Sequence, residues 1–431
     1  MGESYRELFS GIDTFVTLNS GKEVIPINFD NAATTPPLKK VDEFIYENIL
    51  MYGSVGRGGQ KASYCTNAYE VSRKEVLNFF NLSSEEGYEV IYVKNTTEGM
   101  NVLANMLCDR NSQKVLTTRM EHHANDLPWR ELSKPYYCEV DHEGKINLCE
   151  LEEKLRRAQG TIKYVTMTGA SNVTGYINPI HKAARIAHRY GARIIIDAAQ
   201  LIAHRAIDMK GSCQEEAIDA LVFSGHKMYA PFGSGIIIVK TEMIANKKPL
   251  LLGGGIVSSV FDDDVYYKPS PYKEEAGSPN FLGAMAIIAA MAVLKNINYK
   301  QIAEHEEQLK NRLISGLKSM PDIILYGDSE EKERVGVIPF NFKNIHHSKA
   351  GKLFQDKRGI AVRTGCFCAH PYVMRLLGIS NEERYKYLEN SSLESPGMIR
   401  ASFGLYNTEE EVDEFLNCTE DIVKIQRYRD I

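Results

Sequence analysis

An α/β fold is predicted, a large and mostly parallel sheet with helices on both faces plus a smaller α+β unit, and three observations carry it. Short β-rich apolar runs alternate with helical patterns from residue 89 to about 240, and such alternation calls for parallel strands joined by crossover helices. A charged, proline-containing stretch over 262–273 marks the exit from that region. Beyond it, amphipathic helices and a strand follow without regular alternation. The chain has 431 residues, of which 43% are hydrophobic and 25% charged, the make-up of an ordinary folded protein with a substantial core.

The predicted strands of the large sheet are 89–93, 114–118, 136–140, 162–168, 193–197, 220–224 and 235–239. The Ala- and Met-rich run 281–294 reads as a buried helix, being shorter than the roughly 20 apolar residues that cross a bilayer. Residues 304–320 form an amphipathic helix, 335–342 a strand, and 409–428 a charged helix with apolar spacing. The polar stretch 381–396 is a loop or a short inserted helix. This divides the chain into a large domain over 29–294 and a small α+β domain made of 1–28 with 295–431.

Charge and cysteine usage narrow the function. Lys and Arg total 51 against 56 Asp and Glu, for a net charge of −5, so nothing basic is present to track a phosphate backbone and nucleic acid is not an expected partner. Neither a membrane span nor an N-terminal leader is expected. Eight cysteines are too few for a disulfide scaffold, so a reducing, cytoplasmic setting is expected.

In sheets of this kind ligands gather beyond the carboxyl ends of the strands, and there the sequence is polar: 95–99, 121–123, 171–172, 197–200 and 224–227. Lys227, among small and hydroxyl residues after a core strand, has the setting of a lysine that forms a Schiff base with an aldehyde cofactor, or of a plain surface lysine. Asp197 ends the run Arg-Ile-Ile-Ile-Asp; it would pair with a protonated pyridine nitrogen or cap a helix. Thr96 and Thr97 open a helix whose free N–H groups suit a phosphate. His123 follows a strand and suits stacking on a planar ring, while Gln200 and Asn172 suit hydrogen bonds to nearby oxygens.

Several segments taken in order carry a resemblance: INFDNAATTPP (27–37), NTTEGMN (95–101), EHHANDLPW (121–129), SNVTG (171–175), DAAQ (197–200), SGHKMYAPFGSG (224–235), EAGSPN (275–280), VRTGCFCAHP (362–371) and RASFGLYNTEEEVD (400–413). Together they resemble the class V, fold-type I pyridoxal phosphate enzymes, and within them the cysteine desulfurases and selenocysteine lyases of the SufS type. The resemblance implies that Lys227 binds the cofactor aldehyde, Asp197 pairs with the ring nitrogen, His123 stacks on the ring and Gln200 meets the phenolic oxygen. It puts Thr97, Ser224 and His226 around the phosphate, with Ser278 reaching it from the other subunit of a homodimer. Arg400 would bind the substrate α-carboxylate with Asn172 assisting, and Ala33 and Arg363 would line the substrate side. Cys368 would take the sulfur of L-cysteine as a persulfide, leaving alanine, and hand it to a protein or small thiol. No metal is implied.

The chain departs from the SufS pattern at Cys366, commonly histidine there, where the Cys-Phe-Cys form resembles the desulfurase domain of molybdenum-cofactor sulfurases. It also departs at Gln60, in place of a histidine, at Ser278, in place of a threonine, and in the longer stretch between Cys368 and Arg400. Two alternatives within pyridoxal chemistry stay open: selenocysteine lyase, or a class V C–S lyase, aminotransferase or epimerase to which Cys368 is a bystander. A non-catalytic scaffold that keeps the fold is a further reading.

Overall fold

The computed structural model describes residues 5–108, 114–390 and 393–429. The first four residues of the segment searched for a leader, and residues 391 and 392 of the polar stretch, lie outside them.

Seven strands form the large sheet: β1 (Tyr88–Val93), β2 (Val115–Thr118), β3 (Tyr136–Cys138), β4 (Tyr164–Thr168), β5 (Arg193–Asp197), β6 (Ala220–Ser224) and β7 (Gly235–Lys240). Their spatial order is β1-β7-β6-β5-β4-β2-β3. Runs such as Ile194–Ile196 and Ile236–Ile238 are buried on both faces, the pattern of a sheet covered by helices on each side. Parallel pairing joins β2 to β3 and β4, β4 to β5, and β5 to β6. Strand β7 runs antiparallel to both β6 and β1. The link from β6 to β7 is too short to hold the crossover that a parallel return requires. With Gly235 opposite both Val93 and Ser224, the carboxyl ends of β1 and β6 come to the same edge.

Helix α1 (Thr96–Leu107) starts at that edge, with the Asn95 side chain accepting the Glu98 N–H at 3.0 Å. Gly99 lets it lie close to the sheet, since a Cβ there would sit 2.5 Å from Val222 Cγ1. Helix α2 (Phe281–Ile297) is buried as expected. Helix α3 (Tyr299–Lys318) begins ahead of the expected 304 because the Asn298 side chain caps it, accepting the Lys300 N–H. The 262–273 stretch is no open linker. Strands at Val257–Val260 and Val265–Tyr267 pair as a hairpin, and Lys273 is buried, donating to the Ile244 carbonyl and ion-paired with Glu274.

A second, antiparallel sheet holds β8 (Ile323–Leu325), β9 (Val337–Phe342), β10 (Arg363–Gly365) and β11 (Met398–Ser402) in the order β8-β9-β11-β10. Residues Ile27–Asn28 pair with Ile360–Ala361 beside it. Helices α4 (His347–Arg358) and α6 (Glu409–Arg429) pack on this sheet through Phe354, Phe415 and Phe340. Between β10 and β11 the polar stretch forms helix α5 (Asn381–Glu389), opened by a capping box of Ser380 and Glu383. Among the described residues no single helix is long and apolar enough to cross a membrane.

Candidate active site

Where the strands end, a cavity of ≈ 230 Å³ brings together residues from both sheets, among them Lys227, Asp197, Gln200, Arg400 and Cys368. Lys227 closes a single 3-10 turn directly after β6. Burial and, to a lesser degree, the Arg400 charge lower its ammonium pKa against the pull of Asp197, to about 8. Asp197, at the end of β5, accepts the Ala199 N–H at 2.9 Å; burial raises its pKa while Lys227 lowers it. Gln200 is buried with its side-chain oxygen unpartnered.

The β1–α1 junction supplies the opposite wall. Ser224 Oγ accepts the Thr96 N–H at 2.7 Å and shares a second bond with Thr96 Oγ1, tying the start of α1 to the end of β6. Thr97 is exposed at the same helix end, and the His226 ring meets Thr34 at 3.2 Å. His226 is held neutral by burial and the neighbouring Lys227, with its pKa near 4.

Arg400 reaches in from β11, buried, donating to the Asn172 carbonyl at 2.9 Å and to Asp30 at 2.8 Å. Its Nε has no partner. Register places Arg363 opposite Arg400, and the Arg363 guanidinium lies 4.0 Å from Asp30. Asp30 thus neutralises part of a doubly cationic wall. Ala33 lines the cavity close by. Asn172 is buried, but its amide donates to the Phe367 carbonyl at 2.7 Å, so it supports the cysteine loop and meets the arginine through its backbone.

Cys368 is exposed, and both it and Phe367 have left-handed backbones, φ +53° and +52°. Non-glycine residues there cost of order 1–3 kcal/mol each and persist where the surroundings hold them. Asn172 secures the Phe367 carbonyl, the Arg400 guanidinium lies 4.9 Å from the Phe367 ring centre, and the His123 N–H donates to the Cys368 carbonyl at 2.7 Å. The thiol also faces an adjoining open cavity with His123, Pro128 and Arg130. Cys366 points away, donating to the Pro396 carbonyl, and burial pushes its pKa up to about 11. In this structure it packs as a thiol.

The aminotransferase class-V family profile matches residues 27–415. The chain belongs to the class-V aminotransferase family. It is 33% identical over 384 residues to a cysteine desulfurase of Klebsiella pneumoniae, covering 87% of each chain. It is 34% identical over 412 residues to a probable cysteine desulfurase of Pyrococcus abyssi, covering 93% of this chain and 95% of that one. The apo structure of a cysteine desulfurase from Thermococcus onnurineus NA1 superposes with a TM-score of 0.81 at 32% identity, over 93% of this chain and 95% of that one.

Class-V aminotransferases are fold-type I enzymes that use pyridoxal phosphate, and the polar groups of this cavity fit that molecule. Asp197 is a buried carboxylate facing a lysine, as a pyridinium partner must be. The unpartnered Gln200 amide, after a half-turn, presents N–H to a phenolic oxygen. The opening of α1 offers the Thr97 backbone N–H and the Thr97 hydroxyl to a phosphate.

One expectation for this class-V site needs correction. The ring placed in the cavity is that of His122, not His123. His122 Nδ1 accepts the Ala124 N–H at 3.0 Å, which turns the ring inward, and burial, then Lys227, hold it neutral with a pKa near 3. His123 begins the following 3-10 turn and projects the other way, stacked on His370. Adjacent residues at such a turn cannot face the same side, and the sequence Glu-His-His does not say which faces in. Ser278 lies outside the Lys227 cavity, lining a separate one with Tyr69, Tyr92 and Asn280. Within one chain it does not reach the site. The sequence reading also passed over Asp30, although it sits in the quoted segment 27–37 just past a strand end, where an acid facing two arginines is a legible signal.

Proposed function

We propose that the protein is a pyridoxal phosphate-dependent cysteine desulfurase that converts L-cysteine to L-alanine and carries the sulfur on Cys368. The observation that carries the reading is one cavity walled by a lysine of lowered pKa, a buried arginine with an unpartnered N–H, and an exposed cysteine held on a strained loop. When bound, the cofactor supplies an electron sink that lets the substrate lose its α-proton and then its sulfur.

The chain's residues do the rest. Lys227, deprotonated in part near neutral pH, would hold the cofactor through its amine and, once the substrate takes that place, act as the base that removes the substrate's α-proton. Arg400 receives the α-carboxylate, and Asp30 and the Asn172 carbonyl fix the plane of its fork. His122, neutral, covers the ring without competing for the phosphate or carboxylate. Thr96, Thr97, Ser224 and His226 hold the phosphate. The Cys368 thiolate attacks the substrate sulfur, forming an S–S bond as the Cβ–S bond breaks; the electron pair and a proton go to the carbon product, which leaves as alanine, and the protein keeps a persulfide.

The outer cavity beside Cys368 suits the approach of a thiol acceptor. The division into domains over 29–294 and over 1–28 with 295–431, a homodimer in which Ser278 completes the partner's phosphate site, and a cytoplasmic location belong to the same proposal. The free state of all eight cysteines supports the last.

The test is intact-protein mass spectrometry after one equivalent of L-cysteine, with alanine assayed in the same tube. Wild type gains one sulfur atom with stoichiometric alanine, and Cys368→Ala gains none. Pyruvate formation that survives the substitution would overturn the reading in favour of a lyase.

A further inference from the structure

The His123 ring, turned out of the cavity, is engaged with the cysteine loop at two points. Its backbone N–H donates to the Cys368 carbonyl at 2.7 Å, and its Nε2 accepts the His370 backbone N–H at 3.3 Å. The two imidazoles stack with ring centres 4.9 Å apart and planes 8° from parallel, and His370 Nδ1 lies 3.2 Å from the same Nε2. One residue therefore grips the chain on both sides of Ala369, next to the pair of left-handed residues 367 and 368. A loop under that strain needs such restraint to keep its thiol aimed at the substrate.

We propose that His123 and His370 are positioning residues for sulfur abstraction: the stacked pair, with the His123 backbone, latches the Cys368 loop over the substrate cavity. The role rests on the desulfurase reading but is read independently of it. The latch requires a neutral His123, because protonated Nε2 is a donor and confronts the His370 N–H. The groups that face the pair are consistent with neutrality. Burial, then His370, lower the His123 pKa, Asp126 raises it and Arg130 lowers it again. His122 lies beside it on the same turn with a ring centre 6.3 Å away, and burial and Arg384 of α5 lower the His370 pKa. Acid therefore opens the latch.

The experiment uses the holoenzyme and two substitutions, His123→Phe, which removes the acceptor, and His123→Gln, whose Oε1 takes the place of Nε2 without titrating. Hydrogen–deuterium exchange of the 366–372 segment is read in the resting protein, and persulfide formation on Cys368 in a single turnover. Loss of one hydrogen bond predicts that His123→Phe exchanges the His370 amide about tenfold faster and forms persulfide about tenfold more slowly, both restored in His123→Gln. Acid speeds exchange of the His370 amide in wild type, relative to its intrinsic rate, and does not do so in His123→Gln. Wild-type exchange and wild-type persulfide rate in His123→Phe would overturn the latch. Should that variant not fold, an acid acceleration of His370 exchange in His123→Gln equal to that in wild type would overturn it. If wild type shows the exchange pattern yet forms no persulfide from L-cysteine, the latch stands and the desulfurase reading fails.

Discussion

Asp30 holds the arginine that, in the proposed function, receives an amino-acid carboxylate. Arg400 is buried, and a guanidinium without a counter-charge there would be costly, so Asp30 at 2.8 Å both stabilises it and fixes its orientation. Its second oxygen, 4.0 Å from Arg363, keeps that exposed cation near the cavity mouth. Replacing Asp30 by Asn keeps a hydrogen-bond acceptor but removes the charge. Losing a charge-assisted bond predicts a KM for L-cysteine raised about tenfold, with a smaller fall in kcat. Steady-state kinetics decide it: an unchanged KM would mean that Arg400 is oriented by the Asn172 carbonyl alone. At this scale Asp197 was legible because it ends a clean apolar run, and Lys227 because it follows one closely among small and hydroxyl residues. The choice between His122 and His123 was not, because it depends on the sense of one 3-10 turn.

Elements decide where the ends of these runs meet. The start of α1 lies against the end of β6 because Asn95 caps the helix, Ser224 binds Thr96, and Gly99 leaves room for Val222 and Ile237 beneath. A Cβ at Gly99 would come 2.5 Å from Val222 Cγ1 and 3.2 Å from Ile237 Cγ1, so helix and sheet must separate. Overpacking of this kind costs about 1–3 kcal/mol. Gly99→Ala is expected to lower the urea midpoint accordingly and to speed loss of the cofactor, since the helix end shifts as a unit. Equal stability and equal cofactor retention would show that the junction tolerates the methyl. The antiparallel setting of β7 belongs to this scale too. Its apolar run reads like the parallel strands, and only the shortness of the link after Lys227 reverses it.

Across the whole molecule the polar groups beneath the site form one buried chain. Glu121 accepts from Thr118 and Asn125 at 2.6 Å each, and the Asn125 carbonyl oxygen takes the Trp129 and Thr166 donors. Burial pushes the Glu121 pKa from its ordinary 4.5 up to about 8. The folded state then keeps a proton that the unfolded chain releases above pH 4.5. Its contribution to stability is therefore present in acid and declines as pH rises from 4.5 to 8. Glu121→Gln keeps an acceptor oxygen for the Asn125 amide and turns an N–H toward the Thr118 hydroxyl, which can rotate to accept it, without titrating, and is expected to remove that decline. Urea midpoints at pH 5 and pH 8 measure it; parallel pH dependences in the two proteins would show that Glu121 is ionised in the fold.

The sequence by itself determined the strand runs, the alternation that makes a covered sheet, the lysine and aspartate at strand ends, and the family to which the motifs belong, because these depend on local periodicity and on residue types in order. Tertiary structure alone decided which histidine enters the cavity, that Asp30 sits between Arg400 and Arg363, that the Asn172 side chain serves the cysteine loop, and that His123 grips it. All but the first are contacts between residues far apart in the chain, and the first hangs on the sense of one 3-10 turn. Their energies come from desolvation and hydrogen-bond geometry in three dimensions, which no one-dimensional pattern encodes.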